Sequence, residues 1–122
     1  MARPTRGTVG TTTGYGTVAT AALTVAAGSN PGYVVYVQWR SNSTSVSSIV
    51  RTGDTIGAAG MTYSGDGWEV RGYTVTGATT GTVNLVVTFS QDTSYRVIAV
   101  PYTGLAASSP FQAWTRENDL ST

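Results

Sequence analysis

A chain of 122 residues is long enough for one domain with a modest core, and its 40% hydrophobic content argues against bulk disorder. Charged residues make up only 11% and the formal net charge is +1, so the composition carries no electrostatic footprint for nucleic acid. Neither His nor Cys occurs, which removes the Ser-His nucleophile pair, imidazole and thiolate metal sites and any disulfide framework.

Residues 1–16 are rich in Gly and Thr, bury little, and read as an extended N-terminal arm. The start, Met1-Ala2-Arg3-Pro4-Thr5-Arg6, has two positive charges but no apolar stretch behind it, so it does not read as a secretory signal. No apolar run approaches the ~20 residues of a membrane span. Thr17 to Val25 reads as a first strand, and Gly28-Ser29-Asn30-Pro31-Gly32 as a turn in which Pro31 sets φ. The next strand has Tyr33, Val35, Val37 and Trp39 on one face and Val34, Tyr36, Gln38 and Arg40 on the other. Both faces begin apolar, so a central strand covered on both sides at its start is expected.

Val46 to Arg51 is a short strand, followed by Gly53-Asp54-Thr55. Ile56 to Tyr63 is ambiguous because Gly57 and Gly60 weaken a strand there. Ser64-Gly65-Asp66-Gly67 reads as a tight hairpin turn into an alternating strand, 68–75. A connection over 76–81 leads to a strand over 82–90 with Val83, Leu85, Val87 and Phe89 facing the core. Ser90-Gln91-Asp92-Thr93-Ser94 is expected to turn the chain into a further strand, 95–103. Phe111 to Trp114 is a candidate last strand, and 115–122 a polar C-terminal tail. About seven strands at regular spacing, with no helical repeat, predict an all-β antiparallel sandwich over 17–114.

Three stretches within roughly 35–113 carry a resemblance. They are Trp68-Glu69-Val70-Arg71-Gly72-Tyr73 with the connection Thr76-Gly77-Ala78-Thr79-Thr80-Gly81, the strand Gly81 to Phe89, and Ala99-Val100-Pro101-Tyr102-Thr103-Gly104-Leu105 with Ser109-Pro110-Phe111 behind it. In this order they resemble the β-sandwich modules, jelly-roll or Ig-like, of bacteriophage virion proteins and bacterial surface proteins. The resemblance implies display or attachment and brings no catalytic residues.

The carboxylates agree with that. Asp54, Asp66 and Asp92 lie in turns, where Asp bonds its own backbone. Glu69 and Arg71 share a strand face and read as a surface pair. A glycosidase needs two carboxylates flanking one bond, and Ca²⁺ needs six to eight converging oxygens; neither pattern is dense enough here. The segment Gly7 to Gly16 lacks the Lys-Ser/Thr ending of a phosphate loop. Among the aromatics, Trp39 and Trp68 continue apolar faces and read as core, whereas Trp114 reads as an intersubunit contact. Asn42-Ser43-Thr44 matches a glycosylation acceptor and marks a surface loop.

The expectation is therefore a non-enzymatic structural virion protein, a capsid decoration (cement) subunit or a fibre or spike domain. It would form a homo-oligomer, with a trimer favoured, and contact a viral shell or tail protein on the virion surface. It would need no cofactor and no metal, and would bind neither nucleic acid nor membrane. Arg3, Pro4, Arg6, Tyr15, Phe111, Trp114 and Arg116 are the candidate assembly contacts; the two arms would lie across neighbouring subunits, and Trp114 would anchor a trimer-like interface. The alternative is a carbohydrate-binding or adhesin module at a bacterial cell surface, which predicts a row of exposed Trp and Tyr.

Overall fold

The computed structural model describes residues 4–40 and 44–106, and every regular element in them is a strand. In chain order these are β1 (Thr5–Arg6), β2 (Gly10–Val25), β3 (Gly32–Arg40), β4 (Val46–Arg51), β5 (Met61–Gly65), β6 (Trp68–Thr76) and β7 (Gly81–Thr103). All pairings are antiparallel, so the all-β, seven-strand expectation holds.

The strands form one connected sheet instead of the two separate sheets of a sandwich. The reason lies in β2 and β7, which are long enough to belong to two halves at once. In the smaller half, residues 18–25 of β2 and residues 46–51 of β4 flank the start of β7. In the larger half, β1 and residues 10–16 of β2 flank the end of β7, and β3, β6 and β5 follow on its other side. The register shifts between Gly16↔Thr93 and Val18↔Thr88, where residues 89–92 of β7 stand opposite Thr17 alone, and the two strands bend together there. The sheet thereby curls over its own core.

Two expectations change as a result. The segment 90–94 does not turn the chain back: β7 runs extended through it, because β2 continues alongside on both sides of the bend. Side chains take up the slack there. Ser90 Oγ accepts from Ser45 N–H at 3.0 Å, and the Oγ1 of buried Thr93 accepts from Arg40 N–H at 3.2 Å. Residues 5–6 and 10–16 are likewise no free arm, since Gly10 to Gly16 pair with Ala99 to Thr93 and Thr5–Arg6 with Thr103 and Tyr102. Their low hydrophobicity hid the strand. Two of its inward positions, 10 and 14, are glycines because neighbours crowd them: a Cβ on Gly10 would lie 2.5 Å from Ala22 O, and one on Gly14 would lie 2.8 Å from the Tyr95 hydroxyl.

Ile56 to Tyr63 resolves into a loop and then β5. The hairpin between β5 and β6 has Asp66 (φ 53°) and Gly67 (φ 79°) as its two central residues, both left-handed as a type I′ turn demands.

The core fills the concave side. Tyr33, Val35, Val37 and Trp39 of β3 meet Leu23 of β2 and Leu85, Val87 and Phe89 of β7. Trp39 and Phe89 pack at 5.9 Å between ring centroids, and Phe89 stacks on Tyr95 at 5.6 Å. The Trp39 indole N–H is satisfied by Thr44 O at 3.0 Å, which lets so large a ring be buried at no polar cost. β3 is central as expected, between β6 and β7, but only its inward face is covered: Tyr36 remains 36% exposed.

Candidate functional site

Of the acidic residues, Asp54 has the most unusual surroundings. On β4, Ile49 and Arg51 pair with the inward-facing Val87 and Leu85, so strand alternation points Arg51 into the core, where it is 1% exposed. Its guanidinium spends all five N–H donors: on Asp54 Oδ2 (2.7 Å) and on the carbonyls of Thr79 (2.9 Å), Val83 (3.1 Å), Leu23 (3.2 Å) and Gly81 (3.0 Å). The Tyr33 hydroxyl donates to Asp54 Oδ2 at 2.7 Å, and Thr79 N–H donates to Oδ1 at 2.7 Å.

Burial alone would raise the Asp54 pKa, but the donors from Thr79, Arg51 and Tyr33 hold it below the usual carboxylate value. The same burial, with the adjacent carboxylate, pushes the Tyr33 phenol above its ordinary value. Asp54 is thus a buried ion-pair partner three residues from Arg51, correcting the reading of a turn residue that bonds only its own backbone. Every donor of the cluster is consumed internally, and it clamps the 76–81 connection to β4. An Arg at core parity, followed by an Asp, was the sequence signal that could have revealed it.

The remaining carboxylates lie apart. Asp66 is in the hairpin turn, Asp92 is exposed at the bend of β7, and Glu69 accepts from the Ser64 hydroxyl. Arg71 lies over the Trp39 ring at 5.4 Å. Among the described residues no three of His, Cys, Asp or Glu are grouped as metal ligands would be.

The candidate assembly residues fall as follows. Arg3, Phe111, Trp114 and Arg116 lie outside the described residues, as does the turn Ser109-Pro110-Phe111 and most of the acceptor Asn42-Ser43-Thr44. Pro4, Arg6 and Tyr15 are exposed, Tyr15 at 72%. Arg6 pairs with Tyr102 and Tyr15 with Ser94, positions of equal parity on β7, so both project from the same convex face of the larger half, about 27 Å apart along the strand.

That face is the most distinctive surface of the molecule. Cross-strand partners share a face, so the pairings give its rows directly. One row runs Thr11, Ile98, Tyr36, Gly72, Met61; the next runs Thr13, Arg96, Gln38, Val70, Tyr63. Beyond them Arg40 pairs with Trp68, and its guanidinium lies 4.8 Å from the ring centroid. Trp68 is therefore a half-buried surface residue beneath an arginine, correcting its assignment to the core. In the other direction Val34 pairs with Val100 and Thr74. Tyr36, with Tyr102 close by, has its pKa raised mainly by desolvation even though it faces outward. The face as a whole combines a branched aliphatic centre, tyrosines and a tryptophan, and Arg6, Arg40 and Arg96. Its described residues include no Asp or Glu.

The convex face of the smaller half is uncharged: Thr24 pairs with Thr82, their hydroxyls 2.7 Å apart, and Thr20, Thr88 and Ser48 alternate with Val18, Val86 and Val50, of which Val18 and Val50 are exposed.

Together these features define the class as an all-β, single-sheet protein with one apolar-cationic outer face and one uncharged outer face of Thr, Ser and Val. No family model, curated protein or solved structure matches the chain.

Proposed function

We propose that this protein is a non-enzymatic structural virion component, a capsid decoration subunit or a fibre or spike domain, that works by contact through its larger convex face. The observation that carries the reading is that face itself: a broad sheet surface with Tyr15, Tyr36 and Tyr63 exposed and Val34, Ile98, Val70 and Trp68 half-buried, while the only buried ion pair among the described residues is fully engaged internally. The low charge and the Thr, Val and Gly composition also support it, as does the resemblance to virion modules. Attachment works through the sheet face, because residues 5–6 and 10–16 are already committed to pairing with β7.

Antibodies raised against the folded domain test this on virus particles from a culture carrying the gene. Labelling of the particle exterior is expected. Label confined to the cell envelope would refute the virion reading and favour the second one.

That second reading, a carbohydrate-binding or adhesin module, draws on Tyr36, Tyr63 and Trp68, which project from adjacent strands of the same face. It predicts that a polysaccharide shifts tryptophan fluorescence and that Trp68→Ala abolishes the shift.

A further inference from the structure

We infer that the convex face of the larger half is a docking surface for a protein partner that presents carboxylates to Arg40 and Arg96 around an apolar centre. Three properties of the face select this occupant, and they are the same whether the chain is built into a particle or carried on a cell.

The first is composition. Stable protein interfaces are enriched in Tyr, Trp, Met and Arg and depleted in Lys, Glu and Asp, with apolar side chains at the centre and polar ones at the rim. Here Val34, Val100, Ile98 and Tyr36 are neighbours on β3 and β7 at the centre, Val70 and Met61 lie beyond them on β6 and β5, and Arg96 and Arg40 follow at one end of the central patch. Branched aliphatic side chains offer a sugar ring no flat surface to stack on, whereas they pack readily against protein side chains.

The second is charge. Arg96 stands one strand and one row from Arg40, so their Cα atoms are roughly 8 Å apart by sheet geometry. Both are exposed, and the face's described residues carry no carboxylate to neutralise them. A second copy of this chain meeting face to face would offer these guanidiniums no carboxylate from the paired rows of its own face. An acidic partner would instead gain charge-assisted hydrogen bonds.

The third is size. Four strand spacings by eight residues of β7 make a patch of about 500 Å². That is somewhat below the roughly 800 Å² a partner contributes to a standard interface, and more than an isolated surface hydrophobe would need.

The experiment pans a random dodecapeptide display library against the whole protein and against an Arg40→Glu/Arg96→Glu variant. Both substitutions are on the solvent side, so the unfolding midpoint is expected to stay within the usual range for surface changes, which shows that the variant is folded. The wild type should enrich peptides that combine Asp or Glu with aromatic or aliphatic residues. The strongest of these, synthesised, should bind the double variant at least about tenfold more weakly and should weaken as salt is raised. The variant should enrich Lys- and Arg-bearing peptides instead. Selected peptides without acidic bias, or an affinity unmoved by the charge reversal, would overturn the proposal. So would a wild-type dimer in sedimentation that the double variant dissolves, because the occupant would then be a second copy. Saturable polyglucuronate binding that displaces the peptide and is lost in Trp68→Ala would overturn it in favour of a glycan.

Discussion

Replacing Arg51 with Met keeps a long unbranched side chain at the site but removes the charge and all five donors. Both side chains of the Arg51–Asp54 pair are fully shielded from solvent at 2.7 Å, so the Asp54 carboxylate would be left buried without its cation. It would keep the Tyr33 hydroxyl and the Thr79 N–H, while the carbonyls of Leu23, Thr79, Val83 and Gly81 would lose a side-chain donor. Breaking one side of a buried pair costs about 3–5 kcal/mol. For a chain of this length that lowers the melting temperature by roughly 10–25 °C. Urea unfolding followed by tryptophan fluorescence measures it directly. Arg51→Met/Asp54→Leu should recover part of the loss, since the uncompensated charge is then gone although the carbonyls still lack their donor. A cost for Arg51→Met below about 1 kcal/mol, or single effects that add to within about 0.5 kcal/mol in the double variant, would refute the reading of the cluster as a coupled clamp.

The same cluster sets the pH range. Asp54 titrates below its ordinary value, so its share of stability is complete above about pH 4 and is lost as pH falls through the lowered value; Tyr33 titrates above its ordinary value, so its share is complete below about pH 10 and is lost as pH rises through the raised one. Thermal melts across pH should show a plateau between these limits, and Asp54→Asn should reduce the acid-side decline. Trp39→Ala empties the centre of the core and removes the bond to Thr44 O, with an expected cost of about 3–5 kcal/mol in chemical denaturation. Deleting residues 4–16 should lower the unfolding midpoint and promote aggregation in size-exclusion chromatography, because it exposes residues 93–103 of β7 as a long unpaired edge; an unchanged midpoint would restore the free-arm picture. Gly67→Ala places a Cβ on a residue at φ 79° and should cost about 1 kcal/mol without altering the core.

Local patterns carried most of the strands. The alternation in 33–40, 68–75 and 82–90 matches β3, β6 and the first part of β7, and the Asp-Gly pair marks the hairpin, because pleat and turn geometry act within a few residues. Where pairing partners decide, the local signal misled. Ser90 to Ser94 has turn composition, yet it stays extended because β2 pairs with β7 on both sides of it, and the Gly-Thr run of 10–16 is a strand whose inward glycines answer to Ala22 and Tyr95.

The site divides along the same line. Chemistry, meaning a chain without His or Cys, sparsely charged and rich in Thr and Val, follows from the sequence alone, as does the set of side chains on each strand face. Which faces are covered does not. Strand alternation sorts Trp68 from Glu69 and Arg51 from Val50, but it cannot say which side of a sheet meets the core. That depends on how β2 and β7 bend and bring distant strands together, through contacts that link residues tens of positions apart. Only that curl buries Arg51 among four carbonyls, turns Trp68 outward beneath Arg40, and gathers Arg6, Arg40 and Arg96 on one apolar face.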